Sequence, residues 1–364
     1  MEFYLTIAAF IMGYIGVLVV VPPILRVAFA KKLFDQNGGR KIHTQIVPPL
    51  GGVAIFLGFC LSTIIATNGY EFEALKAVLG GVILMFFIGL KDDLVAISAR
   101  KKFAVQVVSA LIIIFIGNLH FTHLHGFFGI EEISHYVGVP VTLFALIVFI
   151  NAFNLIDGID GLASGVSMMV SSFFGVWFYL NGNFPYAIMS FALVGSLAAF
   201  FMYNVFGHKN KLFMGDAGSL IVGLIVGVLV IQFNELNITN NSVYAVSASP
   251  AVSFAIVCMP LIDMVRVMGI RILKGVSPFS PDNNHLHHRL LALVRTHLQA
   301  TLIIIASNLL IILLAIYLDK LGVGRNIALL TVVFTGILFS TIPSIILKII
   351  KSEIKNGFDI WIHF

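Results

Sequence analysis

Long apolar runs alternate with short polar stretches along almost the whole chain. Eleven runs approach the roughly 20 residues that a helix needs to cross a bilayer. They cover 3–24, 50–67, 76–90, 103–118, 138–153, 162–180, 185–205, 217–233, 248–268, 299–317 and 326–347. Lipid leaves a backbone only helices or closed barrels as spanning structures, and these runs are far too long for barrel strands. The pattern predicts an all-α polytopic integral membrane protein of about eleven transmembrane helices, with 1–364 forming a single transmembrane domain. Run 3–24 has no basic segment before it and no small-residue cleavage site after it, so it is expected to be a retained span.

Composition agrees: 59% of the 364 residues are hydrophobic and 11% are charged, against about 25% charged in a soluble domain. The charges also orient the chain. With the N-terminus outside, 19 of the 22 Lys and Arg fall on inner loops or the tail, leaving Lys76, Lys320 and Arg325 outside. The positive-inside rule therefore predicts a periplasmic N-terminus and a cytoplasmic C-terminus. The net charge of +5 is spread over separate loops, so it reads as an orientation signal and gives no patch for nucleic acid. Cys60 and Cys258 lie within apolar runs and read as small core hydrophobes.

The outer loops read as connectors. Leu119–Tyr136 holds His120, His123, His125 and His135, but their spacing matches no compact ligand pattern, so a solvated loop is expected. Asn234–Ser249 reads as a polar linker. No transporter-like internal repeat is evident.

The unusual polar residues gather on the inner loops. The central stretch is Asn151–Leu162, NAFNLIDGIDGL, between two apolar runs. Asp157 and Asp160 sit where a hydrophobic helix leaves the membrane, a position that defaults to function. Each is followed by Gly, which permits φ > 0 and close ligand approach. Around it stand Arg40, Lys41 and His43 followed by Pro48-Pro49-Leu50-Gly51-Gly52; Asp92-Asp93 with Arg100-Lys101-Lys102; Phe213-Met214-Gly215-Asp216; and Ser277 to Asp282 with His285, His287, His288 and Arg289. Blander readings exist for each: a solvated pair for Asp92-Asp93, an N-cap for Asp216, a transition-metal site for the histidines, and an orienting charge for Lys102. Five inner carboxylates beside a basic set nevertheless suit a Mg²⁺-bridged polyphosphate. The apolar helices add a lipid co-substrate. Phosphoryl transfer between a nucleotide diphosphate and a membrane lipid satisfies both.

Four stretches, GLKDDL at 89–94, NAFNLIDGIDGL at 151–162, FMGDAGSL at 213–220 and SPFSPDNNHLHHRL at 277–290, carry a resemblance over nearly the whole chain. The sequence resembles the polyprenyl-phosphate N-acetylhexosamine-1-phosphate transferases, most closely the WecA/TagO type. HLHH after SPFSPD favours the N-acetylglucosamine branch; Leu94 departs from the family pattern. The resemblance implies transfer of N-acetylhexosamine 1-phosphate, foremost GlcNAc 1-phosphate, from the UDP-sugar to undecaprenyl phosphate. UMP is released and a cell-surface polysaccharide begins. It implies Mg²⁺, with Mn²⁺ as a substitute, and a cytoplasmic-face site in a bacterial inner membrane. UDP-N-acetylhexosamine, undecaprenyl phosphate and membrane lipid are the implied partners, and a homodimer is compatible.

Carried over by motif, Asp216 resembles the principal metal ligand, with Asn154 at the metal and pyrophosphate end. Asp157, Gly158, Asp160, Asn204 and Phe213 resemble a nucleotide pocket, with Phe213 stacking on uracil. Asp92, Asp93 and Lys102 resemble the lipid-phosphate end. His285, His287, His288 and Arg289 resemble the sugar and pyrophosphate end. A phosphate monoester, with a second pKa of about 6, is already mostly deprotonated at neutral pH. The Asp pair is therefore expected to orient Lys102 or a metal-bound water rather than act as a base. Other readings are the same reaction with another N-acetylated UDP-sugar, and a nucleotide-sugar or lipid transporter, which would need broken helices and charges near mid-membrane.

Overall fold

The computed structural model describes residues 1–33, 47–69, 72–239, 241–277 and 284–355. Arg40, Lys41 and His43, and Pro278 to Asp282, lie outside the described residues. The chain runs through α1 (Glu2–Lys31), α2 (Gly51–Ala66), α3 (Leu75–Leu94) and α4 (Ala99–Leu111), which continues as a π-helical stretch over Ile112–Ile116. A hairpin follows, β1 (His123–Phe127) and β2 (Ile130–Glu132). Then come α5 (His135–Leu155), α6 (Leu162–Leu180), α7 (Phe184–Val205), α8 (Gly215–Leu236), α9 (Ser249–Ile256), α10 (Cys258–Leu273), α11 (Leu286–Leu291), α12 (His297–Lys320) and α13 (Arg325–Lys355).

The chain is thus an all-α polytopic membrane protein, and each apolar run falls on helix. Among the described residues, seven helices are long and apolar enough to cross a membrane, or eight if α9 and α10 form one bent span. The other three, α2, α3 and α4, are shorter or more charged: α2 has 16 residues, and α3 carries Lys76, Lys91, Asp92 and Asp93. The bundle is built around α8, which is buried without interruption from Ala217 to Ile231, as a helix apolar on all sides must be. Helices α2, α3, α5 and α6 pack on it, α1 and α7 pack on α2, and α12 and α13 close the far side against α9 and α10. Exposed Ile7, Ile11, Ile15 and Val19 on α1 face outward, as in a molecule solvated by lipid.

Run 248–268 is broken rather than straight: α9 and α10 meet at Val257 with a 77° bend. A break at membrane depth orphans backbone groups that lipid cannot satisfy. Asn308 of α12, fully buried, supplies the partners. Its Oδ1 accepts from Met259 N–H at 2.9 Å, and its Nδ2 donates to Ile256 C=O at 2.9 Å and Ala255 C=O at 3.3 Å.

The expectation of a solvated outer loop is corrected. Leu119–Tyr136 contains the hairpin, with Phe128 and Gly129 at positive φ in its turn. Phe127 packs in a small second core with Ala248, Ala251 and Ala328. His125 is buried beside Ser249, and its carbonyl accepts from Arg325 Nη1 at 2.6 Å. Its strands are too short, and too rich in His and Gly, for alternation to stand out. The 234–249 linker is likewise anchored, through Ala248 N–H to Asp319 at 2.7 Å and Trp177 Nε1 to Tyr244 C=O at 2.9 Å.

Replacing Asn308 with Leu should destabilise the fold. The orphaned Met259 N–H alone costs about 1–3 kcal/mol when buried without a partner. A lowered midpoint of thermal unfolding in detergent is the expected result; an unchanged midpoint would show that the break needs no polar support.

Candidate active site at the start of helix 8

Adjacent residues on a helix point about 100° apart and do not share a face. Asp92 and Asp93, at the end of α3, therefore separate. Asp93 turns to the start of α8, where Oδ1 accepts from Asp216 N–H at 2.7 Å and Oδ2 from Ala217 N–H at 3.0 Å. Asp157 accepts from the Gly215 backbone. Three consecutive donors at a helix N-terminus, which would otherwise be orphaned, thus go to carboxylates borne on other segments. Gly215 makes this possible: it has φ +72, and a Cβ there would lie 2.7 Å from the Asp93 carboxylate and 2.5 Å from Pro49 C=O. The Pro-Pro-Leu-Gly-Gly segment holds the same corner. Phe213 N–H donates to Pro48 C=O, while Gly51 and Gly52 N–H donate to Phe213 and Met214 C=O, all at 2.8–3.1 Å.

Asp92 turns the other way. Its Oδ1 accepts from Ile97 N–H at 2.8 Å, and its Oδ2 meets Lys102 Nζ at 3.2 Å. Lys102 also bonds Asp216 Oδ2, so one ammonium stands between two carboxylates. Asn154 approaches from α5: its Nδ2 donates to Asp216 Oδ1 at 2.7 Å and Ser219 Oγ at 2.9 Å. Asn151, one turn earlier, is paired with Gln106 of α4 at 3.0 Å. Burial, with the negative charges of Asp216, Asp93 and Asp160, pushes Asp157 up to about 7. Four carboxylates thus surround the α8 start, and among the described residues Lys102 is the cation bonded to them. That excess of negative charge fits a divalent cation. Among the described residues no three His, Cys, Asp or Glu side chains could form a metal cage alone. The donor set therefore suits Mg²⁺, which takes one or two protein carboxylates and completes its shell with water and phosphate.

The turn 156–161 links this cluster to the other polar segments at the same end of the bundle. Gly161 has φ +80, as the sequence suggested; Gly158 has no positive φ, and its missing side chain serves packing. A Cβ at Gly158 would lie 2.2 Å from His287 Nε2. Asn204, buried, joins the Gly161 N–H at 2.6 Å to the Leu212 C=O at 2.8 Å. Asp160 is an ion-pair hub: its Oδ2 meets Lys211 Nζ at 2.7 Å and His297 Nδ1 at 2.8 Å, and its carbonyl accepts from Thr301. Burial opposes its ionisation, but the bonds from His297 and Lys211 prevail and hold it below the usual carboxylate range. Lys211 Nζ also lies 5.7 Å from the Phe213 ring centre.

The histidine segment follows α10. Buried Asp263 receives His285 Nδ1 at 2.8 Å on Oδ2, with Leu286 N–H at 2.8 Å and Arg266 Nη2 at 2.7 Å on Oδ1. Arg266 also donates to Asn284 C=O at 2.8 Å. Arg289 grips the same residue, through Nε to the carbonyl at 3.2 Å and Nη2 to Oδ1 at 3.0 Å. His285 stacks on His287 with centroids 5.6 Å apart, and His288 lies 4.3 Å beyond. Burial, with the adjoining His288 ring, takes His287 down to about 3, so it is neutral at pH 7.

The predicted residues therefore form two joined groups: Asp92, Asp93, Lys102, Asn154, Asp157 and Asp216 around the α8 start, and Gly158, Asp160, Asn204, Phe213, His285, His287, His288 and Arg289 along the adjoining turn and loops. Sequence reasoning missed Asp263 and His297 as members, and it marked Lys211, at the head of the polar stretch Lys211 to Ser219, without giving it a role. Asp263 carried a signal, an aspartate three residues before Arg266 inside an apolar run; the expectation that ionisable groups stay at helix ends fails there.

The sequence profile of glycosyl transferase family 4 matches residues 75–234. The chain is 31% identical to the undecaprenyl-phosphate alpha-N-acetylglucosaminyl 1-phosphate transferase of Yersinia pestis, over 81% of this chain and 80% of the relative. It is 34% identical to the protein of that name from Escherichia coli K12, over 77% and 76%. It is 28% identical to a probable undecaprenyl-phosphate N-acetylglucosaminyl 1-phosphate transferase of Bacillus subtilis, over 96% and 94%.

A carboxyl raised to about 7 when folded, against 3.8 when exposed, binds more protons in the folded state at intermediate pH. Its contribution to stability therefore falls as pH rises between those values. Asp157→Asn should accordingly raise the unfolding temperature, relative to the unsubstituted protein in chelator, more at pH 8 than at pH 5. An equal difference at both values would place the Asp157 titration elsewhere.

Proposed function

The chain belongs to glycosyl transferase family 4, and on that premise we propose that it transfers N-acetylglucosamine 1-phosphate from its UDP-sugar to undecaprenyl phosphate at the cytoplasmic face of a bacterial plasma membrane, releasing UMP and initiating a surface polysaccharide. The observation that carries the reading is the gathering of Asp92, Asp93, Asp157 and Asp216 with Lys102 at one helix start, on the end of an apolar bundle. The acceptor's phosphate oxygen attacks the β-phosphorus of the donor, and the bond to the UMP oxygen breaks in one displacement. Lys102 meets the acceptor phosphate. Asp92 orients Lys102, which its bonds to Lys102 and Ile97 N–H support. Asp93 caps α8, so its oxygens serve the scaffold.

Asp216, with the amide oxygen of Asn154, is suited to hold Mg²⁺ or Mn²⁺, which when bound neutralises charge on the pyrophosphate and leaving UMP. Asp157, whose carboxyl accepts from the Gly215 backbone, would add negative charge beside a cation held there. Phe213 offers its ring to uracil, beside Lys211. Asp160 and Asn204 fix the shape of the nucleotide pocket through the bonds they already make. His288 and Arg289 steady the transferred sugar phosphate. The polar groups of the broken span and Asp263 are bonded to Asn308, His285 and Arg266, which supports a structural role for both over transport.

A panel of radiolabelled UDP-N-acetylhexosamines tests the reaction with purified enzyme and undecaprenyl phosphate. Label from the GlcNAc donor should enter the lipid with one UMP released per transfer; label entering only from another sugar, or from none, would overturn the reading. Asp216→Asn, which removes a ligand charge, should shift the Mg²⁺ dependence of the rate to higher concentration. An unchanged titration at full activity would remove Asp216 from the metal site.

A further inference from the structure

Asp263 lies in α10, six residues past Val257, at 3% exposure in a segment otherwise apolar until Arg266. A buried carboxylate there is costly unless every oxygen is satisfied. Its three donors come from three directions. Arg266 is one turn on along the same helix, Leu286 N–H opens α11, and His285 Nδ1 belongs to the residue before that helix. Arg266 extends the web to the Asn284 carbonyl, where Arg289 also binds. One carboxylate thus sets the backbone of 284–286 and the ring plane of His285, and through Asn284 bears on Arg289.

The bond to His285 does something packing alone cannot. A carboxylate only accepts, so the imidazole must place a proton on Nδ1. The opposite nitrogen, Nε2, is then the one presented to any further partner. His287 is committed elsewhere: it stacks on His285 and packs its Nε2 edge against Gly158. We propose that Asp263 is a positioning residue for the transfer reaction: it fixes the tautomer and orientation of His285 so that Nε2 meets a phosphate oxygen of the UDP-sugar, and it holds the 284–289 turn in register for Arg289. This inference rests on the function proposed above, but one arm of its test is independent of activity.

The test uses the full chain in nanodiscs with ¹⁵N-labelled histidine, the His285 signals being identified by their absence in His285→Gln. In the unsubstituted protein His285 should carry its proton on Nδ1. In Asp263→Asn the amide oxygen can keep Leu286 and Arg266, while its NH₂ turns to the ring, so Nδ1 should lose its proton and Nε2 gain it, as such a substitution beside a histidine does elsewhere. With UDP-GlcNAc and undecaprenyl phosphate, kcat should fall about 10- to 100-fold while KM for the lipid moves less than about threefold. The double variant Asp263→Asn/His285→Gln should be no slower than His285→Gln alone. A bare Nδ1 in the unsubstituted protein, an unchanged tautomer in Asp263→Asn, or single effects that multiply in the double variant would each overturn the proposal. Should Asp263→Asn fail to fold, the spectrum of the unsubstituted protein decides by itself. An unsubstituted enzyme inactive on these substrates would overturn the proposed function and leave the tautomer measurement standing.

Discussion

The start of α8 is a helix end brought to the mouth of an apolar bundle, and its exposed N–H groups have to be answered. The helix carries partial positive charge at that end. The donors are answered by carboxylates on other segments: Asp93 from α3 and Asp157 from the 156–161 turn. Each carboxylate brings charge that repels the next, and Asp216 adds more. Lys102 relieves part of that repulsion by standing between Asp92 and Asp216. The same requirement that completes the helix therefore leaves a site short of positive charge, which is the condition a cation-bridged diphosphate substrate fulfils. Scaffold and chemistry cannot be separated at Asp93 or Asp157, because the groups that close the helix also set the field of the site.

A second requirement of the same kind shapes the far side of the bundle. A span broken at Val257 is tolerable in lipid only if its free N–H and C=O groups find partners, and Asn308 meets both. The 77° bend in turn sets where α10 begins, and so where Asp263 stands to receive the histidine segment. Contact between His287 and Gly158 then joins that segment to the central turn. Polar bonds and ring contacts thus link Asp263 through the histidine segment to the turn, on an apolar frame that gives directionality to none of it.

Much of this was legible in the sequence. Apolar runs of spanning length placed the helices, because lipid enforces helix wherever a chain crosses it. The inner carboxylates, Lys102 and the histidines were marked out by being polar at the ends of such runs. What tertiary structure alone decided is the pairing. Asp92 and Asp93 are neighbours in sequence, yet one bonds Lys102 and the other caps α8, since consecutive helical side chains diverge. Asp160 Oδ2 meets Lys211 and His297, and Asn204 Oδ1 accepts from the Gly161 N–H, partners that nothing in their own stretches of sequence announces. The outer hairpin and the break at Val257 left little trace, because short strands lack a readable period and an apolar run looks the same straight or bent. Sequence determines which groups are too costly to leave in lipid; which partner satisfies each depends on distances between segments up to 200 residues apart, and only the packed helices set those.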